Sequence, residues 1–340
     1  TFTFDDFLLV GPEGTKLTGI NELEPYDDTT FEISLDGTTE DGAVALTMPE
    51  GKVQDLAGNT NTASTSSNNT VLYDITRPTS TISIDITSPT NLSPIPISIE
   101  FSELVIGFEL SDIAVKNGSP SNFSGTGDSY SVDVTPVEEG LITIELPENI
   151  AVDLAGNPNI ASAPIELTFD LTKPSVSIEK ADLQANHTNI LPILYSVKFS
   201  KPIFMESFTV DDFELQAPAG ATITSLSETE PFDDTTFEVS VDGITEDGLV
   251  TLTLSEGKVQ DLAGNFNLPS TSTDNLVFYD TSFLDVTIEK SEEQADPINK
   301  VPILFSLKFS KPIFIESFTM DDFNLQAPEG ASITSIRELE

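Results

Sequence analysis

The sequence repeats one short motif, Asp-Leu-Ala-Gly-Asn, three times at intervals of roughly a hundred residues. The motif begins at Asp55, Asp153 and Asp261, and the ten residues that start at Glu50 are identical to the ten that start at Glu256. Self-similarity at a regular period is typical of tandem arrays, in which each repeat is one structural unit. The chain is therefore predicted to be a series of similar domains.

Other repeated features set the register of this series. An apolar run that ends in Asp follows each motif, at Asp74, Asp170 and Asp280, and the first two runs lead to Pro78 and Pro174. Prolines at these positions are typical of links between domains. The register predicts the C-terminal part of one Ig-like repeat, a complete divergent repeat, a complete repeat, and the N-terminal part of a further repeat, with bounds 1–77, 78–172, 173–283 and 284–340.

Short runs of alternating apolar and polar residues fill each repeat, as in ISIEF, ITIEL and VTLTL. In one such run Tyr195, Val197 and Phe199 share one face, while Ser196 and Lys198 share the other. Turn signals separate the runs, and no long amphipathic helix is indicated. About seven short strands in about 100 residues predict an all-β fold of tandem Ig-like or fibronectin-like β-sandwich domains.

The chain is strongly acidic, with 57 Asp and Glu against 14 Lys and Arg, a formal net charge of −43. This charge should repel nucleic acid and anionic membranes, and no apolar run is long enough to span a bilayer. The chain has no cysteine, so disulfides and thiolate metal sites are excluded. Bound metal is another source of stability for such a protein. A solvated acidic surface without any metal is the alternative explanation.

A catalytic site is not expected. The single histidine, His187, lies in a polar segment that is typical of a loop. Paired carboxylates of the kind that glycosidases use recur in every repeat, and catalytic sites are seldom repeated so uniformly. The chain is therefore predicted not to be an enzyme.

Acidic residues are expected to meet at one end of each sandwich. In a seven-stranded sandwich the incoming link and three alternate loops lie at the same end. In the second repeat this end should gather Asp74, Glu103, Asp112, Asp128 and Asp153. In the third repeat it should gather Asp170, Asp211, Asp212, Asp233, Asp234, Asp261 and Asn265, and Asp280 is the link residue of the next junction.

Carboxylates that lie close together raise each other's pKa and destabilise the fold unless a cation binds them. Calcium takes six to eight oxygen ligands from carboxylates, amides and carbonyls, and it tolerates the geometry of loops. The sequence therefore predicts several Ca²⁺ ions near the junctions.

The Asp-Leu-Ala-Gly-Asn motif also has an explanation that needs no metal. Leu154 and Leu262 would then fill the core, Gly156 and Gly264 would adopt positive φ, and the Asp and Asn side chains would cap the turn. The turn role and metal ligation both stay open for this motif at this point.

The second repeat resembles the bacterial Ig-like repeats of large cell-surface adhesins. The resemblance rests on an ordered set of motifs: F-S-E from Phe101, D-I-x-V-x-N-G from Asp112 and D-L-A-G-N from Asp153. Repeats of this family resemble extender modules that hold an adhesive tip away from the cell, and several related arrays bind calcium near their links. The resemblance implies an extracellular, cell-surface role in which each domain contacts neighbouring repeats of the same chain, and it does not identify the adhesion target. The ligand positions that it implies are Asp74, Glu103, Asp112, Asp153 and Asn157.

The third and fourth repeats depart from this pattern at one position. They have F-S-K where the second repeat has F-S-E, so that Lys201 and Lys311 replace Glu103. A lysine cannot bind a metal ion as a carboxylate does, which puts the corresponding ligand in doubt in these repeats.

Two other functions are kept as alternatives. A glycan- or protein-binding Ig-like module would present exposed aromatic side chains on a loop that differs between repeats, and the segment from Lys116 to Tyr130 is the candidate. A subunit of a surface layer or filament would associate laterally with copies of itself.

Overall fold

The protein is built almost entirely from short β-strands, as seen in a computed structural model that describes residues 3–338. The chain forms two compact units. The first comprises residues 1–175, 199–208 and 256–269, and the second comprises residues 176–198, 209–255 and 270–340. The bounds of the four repeats, at residues 77, 172 and 283, stay a prediction.

Among the described residues, the first compact unit contains twelve strands. They are β1 (Leu8–Val10), β2 (Lys16–Glu22), β3 (Phe31–Asp36), β4 (Gly42–Thr47), β5 (Thr70–Tyr73), β6 (Ser80–Ser83), β7 (Ile95–Phe101), β8 (Ala114–Lys116), β9 (Gly118–Thr126), β10 (Ser129–Pro136), β11 (Gly140–Glu145) and β12 (Ile165–Phe169). Their sheets have the orders β1-β4-β5, β2-β3, β6-β7-β10-β9 and β12-β11-β8.

The seven strands β6 to β12 form a sandwich in the second repeat. The four-plus-three arrangement and the strand order are those of a constant-type immunoglobulin domain. Inward residues of both sheets alternate with outward ones and form one buried cluster, which includes Ile97, Ile99, Val132, Ile142 and Leu167. The predicted all-β, Ig-like fold is confirmed.

The second compact unit contains the remaining strands. They are β13 (Val176–Lys180), β14 (His187–Thr188), β15 (Ile193–Phe199), β16 (Phe213–Gln216), β17 (Thr222–Glu228), β18 (Thr236–Asp242), β19 (Gly248–Leu254), β20 (Val277–Tyr279), β21 (Val286–Lys290) and β22 (Phe305–Phe309). Their sheets have the orders β13-β15-β18-β17, β14-β20-β19-β16 and β21-β22.

Strand β15 shows the alternation that its sequence predicts. Tyr195 and Val197 are fully buried and face Val239 and Phe237 of the antiparallel strand β18. Lys198 lies on the opposite, open face of the strand and is exposed. Tyr195 and Val197 are therefore part of the apolar interior of the second compact unit.

The helical content in residues 3–338 is restricted to three-residue 3₁₀ turns. These are Phe4–Asp6, Leu110–Asp112, Met205–Ser207, Val210–Asp212, Ile315–Ser317 and Met320–Asp322. None of the helices in this described range is long and apolar enough to cross a membrane.

Three loops of the second repeat meet at one end of its sandwich. The N–H of Val105, after β7, donates to the carbonyl of Gly127 in the β9–β10 turn at 3.1 Å. Ile106 and Val152, which follow β7 and β11, exchange two backbone hydrogen bonds of 2.8 and 3.1 Å. This is the end of the domain at which the sequence predicts the acidic residues to lie.

An early segment of the second repeat runs parallel to its last strand, β12. Thr90 accepts a hydrogen bond from the N–H of Asp170 at 3.0 Å and donates its own N–H to Thr168 at 2.9 Å. In the second compact unit β14 pairs with β20 in the same parallel sense. Each sandwich thus has a short parallel contact between an early segment and its final strand.

Candidate metal centre

The Asp-Leu-Ala-Gly-Asn motif forms a tight loop that is closed by its own Asp. In the second repeat Asp153 Oδ1 accepts the backbone N–H groups of Ala155 and Asn157, each at 2.8 Å, and its Oδ2 accepts the side-chain amide of Asn157 at 2.8 Å. The same bonds form around Asp55 and Asp261. The turn role of the motif is therefore present in all three copies, whereas metal ligation by it stays a prediction.

The leucine of the motif does not fill the core. Leu154 is 75% exposed and Leu262 is 48% exposed, so this part of the turn prediction is wrong. The leucine lies inside the Asp-closed loop, which turns outward, whereas Ala151 and Val259, two residues before the Asp, are buried. The glycine prediction is confirmed, because Gly156 has a φ of 96°.

A second asparagine, two residues after the motif, holds the loop from inside and was not predicted from the sequence. Asn159 is fully buried, and its Oδ1 accepts the N–H groups of Ile150 at 2.9 Å and Ala151 at 3.0 Å. Its Nδ2 donates to the carbonyls of Pro147 and Ile160, each at 2.9 Å. The signal was the Asn-x-Asn spacing, which recurs in all three copies of the motif.

Three of the predicted ligands come together at the start of the second repeat. Asp74 follows β5, Glu103 follows β7, and Asp153 lies in the β11–β12 loop. One carboxylate oxygen of each lies within 4.8 Å of the other two, and Asp153 is buried. Within residues 3–338 this is the one group of three or more Asp, Glu, His or Cys side chains that is close enough to share an ion.

The predicted ligand Asn157 lies beside this group and joins two of its members. Its side-chain amide donates to Asp153 Oδ2 at 2.8 Å and to the backbone carbonyl of Asp74 at 3.0 Å. The residue therefore ties the link segment to the Asp-Leu-Ala-Gly-Asn loop.

A fourth acid, Asp41, borders the same place and was missed by the sequence analysis. It accepts the backbone N–H of Ile75 at 2.7 Å and the hydroxyl of Thr76, and both groups belong to the link. These two hydrogen bonds lower the pKa of Asp41, with that of the Thr76 hydroxyl having the largest effect. A shallow depression is lined by Asp41, Leu72, Tyr73, Asp74, Thr76 and Glu103.

Acids at the position of Asp41 anchor the later links in the same way. Glu139 accepts the N–H of Leu171 at 2.5 Å, and Asp247 accepts the N–H of Thr281 at 2.7 Å. The signal that could have found them is a repeated Glu-Asp-Gly or Glu-Glu-Gly before a strand. In this pattern the glycine indicates a turn, and the acid before it has no sequence signal of its own.

The four acids of the first junction have no basic partner. No Lys or Arg lies within 4.0 Å of these carboxylates in the described part of the chain. Burial, followed by the charges of Asp153, Asp74 and Asp41, raises the pKa of Glu103. Burial also raises the pKa of Asp153, but hydrogen bonds from Asn157 and from the loop backbone lower it more. Asp153 is therefore held in its charged form. Repulsion between the neighbouring carboxylates instead disfavours the charged form of Glu103.

At the second junction a lysine lies where the first junction has Glu103. Lys201 Nζ donates to Asp170 Oδ2 at 2.5 Å, to Asp261 Oδ2 at 3.0 Å and to the carbonyl of Thr172 at 2.7 Å. Burial lowers the pKa of Lys201, but the hydrogen bonds to the two aspartates raise it by more than burial lowers it. The net shift of the pKa is therefore upward. Asn265, also a predicted ligand, donates its amide to the carbonyl of Asp170 at 2.8 Å.

The third junction has the same lysine arrangement. Lys311 Nζ donates to Asp280 Oδ1 at 2.8 Å and Oδ2 at 2.7 Å, and to the carbonyl of Ser282 at 2.7 Å. The hydrogen bond from Lys311 is the largest cause that lowers the pKa of Asp280, to about 2. The oxygens that the sequence assigned to metal at Asp170, Asp261 and Asp280 are thus bonded to an ammonium group.

The remaining predicted ligands have local roles in turns. Asp112 and Asp212 each close a 3₁₀ turn, since Asp112 accepts the N–H of Glu109 at 2.7 Å and Asp212 accepts the N–H of Thr209 at 2.8 Å. Asp234 has a φ of 60° in the turn before β18. None of the three belongs to a group of metal-ligating side chains within residues 3–338. Their assignment as ligands stays a prediction.

Comparisons with solved structures find chains of low sequence identity to this one. The Escherichia coli adhesin FdeC is 11% identical, with 80% of this chain and 87% of that chain covered and a TM-score of 0.39. Invasin, described as a bacterial integrin-binding protein, is 12% identical, with coverage of 89% and 60% and a TM-score of 0.35. Yersinia pseudotuberculosis InvD is 10% identical, with coverage of 63% and 62% and a TM-score of 0.27.

A comparison with curated proteins finds no match to the sequence. The family comparison matches a segment that contains the first junction. Residues 74–169 match the family model of the bacterial Ig-like domain. The matched segment includes Asp74, Glu103 and Asp153 and all strands of the second repeat, β6 to β12. Residues 74–169 are thus similar to bacterial Ig-like domains, which confirms the resemblance that the motifs of the second repeat indicate.

Proposed function

We propose that this chain is a structural extender segment of a large bacterial surface adhesin, in which calcium bound near domain junctions stiffens the array. The segment is extracellular and lies at the cell surface, and its domains contact neighbouring repeats of the same chain. The bacterial Ig-like match over residues 74–169 and the Ig-like sandwich support this role. The role is mechanical, and it requires no catalytic group.

The observation that carries the calcium proposal is the cluster of Asp74, Glu103 and Asp153. Calcium binds oxygen ligands at about 2.3–2.6 Å, so two ligands of one ion lie at most about 5 Å apart. The separation of up to 4.8 Å between the carboxylate oxygens fits this limit. Each of the three carboxylates offers one oxygen to such an ion, and water can complete the six to eight ligands that calcium takes.

A bound divalent ion would remove the repulsion that the four acids of this junction exert on one another. It would also connect three parts of the chain: the end of β5, the end of β7 and the β11–β12 loop, which carry Asp74, Glu103 and Asp153 respectively. The link at residues 74–79 would then be held against the second repeat. Without the ion, the uncompensated charges would loosen the link, because burial and like charges disfavour the ionised cluster.

Calorimetric titration of calcium into the chelator-treated chain tests the binding site. We expect a dissociation constant of about 10⁻⁴ to 10⁻³ M, the range of extracellular calcium modules. Glu103→Gln removes one carboxylate with little change of shape and should weaken binding at least about tenfold. Glu166→Gln is the matched control, because Glu166 is an exposed residue of β12 outside the cluster. Absence of binding, or equal binding by the wild type and Glu103→Gln, would refute the proposed site.

Small-angle scattering tests the stiffening separately from binding. The maximum dimension of the wild-type chain should increase on addition of calcium, and that of Glu103→Gln should not. If calcium binds but the dimension stays the same, the ion does not stiffen the array. Light scattering in the same titration would detect the lateral association that a surface-layer or filament subunit requires.

The alternative of an aromatic glycan platform on the second repeat is not favoured by its side chains. Phe123 and Tyr130, the aromatic residues of the candidate segment, stack on each other with ring centroids 5.5 Å apart. Tyr130 is buried, and Phe123 packs against the core. These rings stabilise the sandwich and are not arranged as an exposed platform.

A further inference from the structure

The residue after Phe-Ser occupies the same structural position in three repeats. Strands β7, β15 and β22 all end at the phenylalanine of this sequence. The following serine donates its N–H to the backbone of the incoming segment at 2.9 Å in each case: Ser102 to Thr79, Ser200 to Ser175 and Ser310 to Asp285. Its hydroxyl accepts an N–H from the same segment at 2.9–3.0 Å. The next residue, Glu103, Lys201 or Lys311, is therefore placed equivalently against its own link.

The lysine at this position is satisfied by groups of the link and the loop. An ammonium group has three donors, and Lys201 has three acceptors, on Asp170, Thr172 and Asp261. The pair is largely shielded, since the side chain of Lys201 is 22% exposed and that of Asp261 is 2% exposed. A shielded ion pair is weakened much less by salt than one on the open surface.

The junctions therefore differ in charge at one position. The first combines the anchoring acid, the link Asp and the loop Asp with Glu103, and in the described part of the chain none of these carboxylates pairs with a Lys or Arg. Arg77 of the same link pairs with Glu148 instead. The second combines the same three acidic positions, Glu139, Asp170 and Asp261, with Lys201. At the third, the anchoring acid Asp247 and the link residue Asp280 lie with Lys311.

We propose that Lys201 and Lys311 are covalently attached counter-ions that take the place of a metal ion at their junctions. The chain then contains two classes of junction. The links at residues 170–172 and 280–282 are held by lysine at any calcium concentration, and the link at residues 74–76 is held when a divalent ion is bound. The second half of this statement rests on the proposed function, whereas the lysine half does not.

Hydrogen exchange of the link amides in the full chain tests whether Lys201 holds its link. The N–H of Leu171 is bonded to Glu139, outside the link, so its protection reports whether the link is closed. The N–H of Thr172 is bonded to Asp170, whose carboxylate also binds Lys201, so its protection reports whether this carboxylate is held in place. Lys201→Met removes the charge and keeps an apolar side chain of similar length. We expect roughly ten- to hundredfold faster exchange at these two amides, with and without calcium, because charge-assisted hydrogen bonds are lost. The amide of Thr281 at the third junction is the internal control and should be unaffected.

Swapping the charges at residues 103 and 201 should convert one class of junction into the other. Lys201→Glu reproduces the acidic arrangement, so exchange at residues 171–172 should become fast in chelator and slow again with calcium. Glu103→Lys should make the protection of the Ile75 and Thr76 amides independent of calcium. Unchanged hydrogen exchange in β18 shows that the Lys201 variants are folded, and unchanged exchange in the buried strand β11 shows the same for Glu103→Lys.

The outcomes separate the two proposals. If Lys201→Met leaves exchange at residues 171–172 unchanged, or if chelation alone opens this link in the wild type, the lysine is not the counter-ion. If residues 75–76 do not respond to calcium while Lys201→Met opens residues 171–172, the calcium function is refuted and the lysine inference stands.

Discussion

Asn159 allows a quantitative test of how the Asp-Leu-Ala-Gly-Asn loop is held in the second repeat. Its side chain is fully buried and makes four hydrogen bonds, two with backbone N–H groups and two with backbone carbonyls. Asn159→Ala would remove all four partners and leave the backbone groups without a replacement from the protein. The expected effect is a loss of stability of the whole second repeat, because the loop joins strands β11 and β12.

The size of the loss follows from the burial of the groups left unpaired. Each buried donor or acceptor that loses its partner costs about 1–3 kcal/mol. Ala151, which supplies one of the N–H groups, is buried, whereas water can reach the carbonyl of the exposed residue Ile160. If water replaces the amide at the two carbonyls only, the two N–H groups account for about 2–6 kcal/mol.

Native-state hydrogen exchange in the full chain measures this loss within one repeat. The amides of Ile142 and Ile144 in the buried strand β11 should exchange roughly 30-fold to more than 1,000-fold faster in Asn159→Ala. Asn61→Ala is the matched control, because Asn61 makes the same four bonds in the first repeat but is half-buried. Water can replace its amide, and we expect less than about 1 kcal/mol in that repeat. An increase of less than about threefold for Asn159→Ala, or equal losses at the two positions, would refute the reasoning.

Four further predictions concern single residues. An NMR titration should place the midpoint of Asp280 near pH 2, and Lys311→Met should move this midpoint up towards 3.8. Because the folded-state pKa is depressed, the stability from the Asp280–Lys311 pair is present above pH 3.8 and is lost as the pH falls towards 2. Gly156→Ala should lower the free energy of unfolding of the second repeat, measured by hydrogen exchange in β11, by about 1–2 kcal/mol. The cause is the φ of 96° at this position, since no atom lies within 4 Å of the added carbon. Leu154→Ser, an exposed change in the same loop, should stay within about 0.5 kcal/mol. Tyr195→Phe should cost about 0.5–1.5 kcal/mol in β18, since the buried phenol donates a 2.9 Å hydrogen bond to a carbonyl of β19.

The fold was predictable from the sequence because periodicity determines which face of a strand is buried. The alternation around Tyr195 and Val197 is reproduced in their burial. The meeting of Asp74, Glu103 and Asp153 followed from the sandwich topology, which brings the link and alternate loops to one end. Topology places loops, however, and does not determine which atoms within a loop face each other.

The errors and omissions arise at that atomic level. Leu154 was expected in the core because it is apolar, but the loop that Asp153 closes turns it outward. Asn159 and Asp41 were missed because their partners are backbone groups, which leave no complementary residue type in the sequence. The contact between Lys201 and the aspartates was only indicated by the change from Glu to Lys, because a substitution does not show where the new side chain points.

The parallel contact between the segment at Thr90 and strand β12 has a consequence for the response to tension. A pull on the chain acts on the second repeat at its two ends, near Arg77 and Asp170, in opposite directions. Hydrogen bonds between parallel segments pulled from opposite ends bear the load in shear, so they must break together and cannot be peeled apart one by one. Strands β14 and β20 meet with the same polarity. Both sandwiches therefore carry a small patch that resists stretching, at the place where tension enters the final strand.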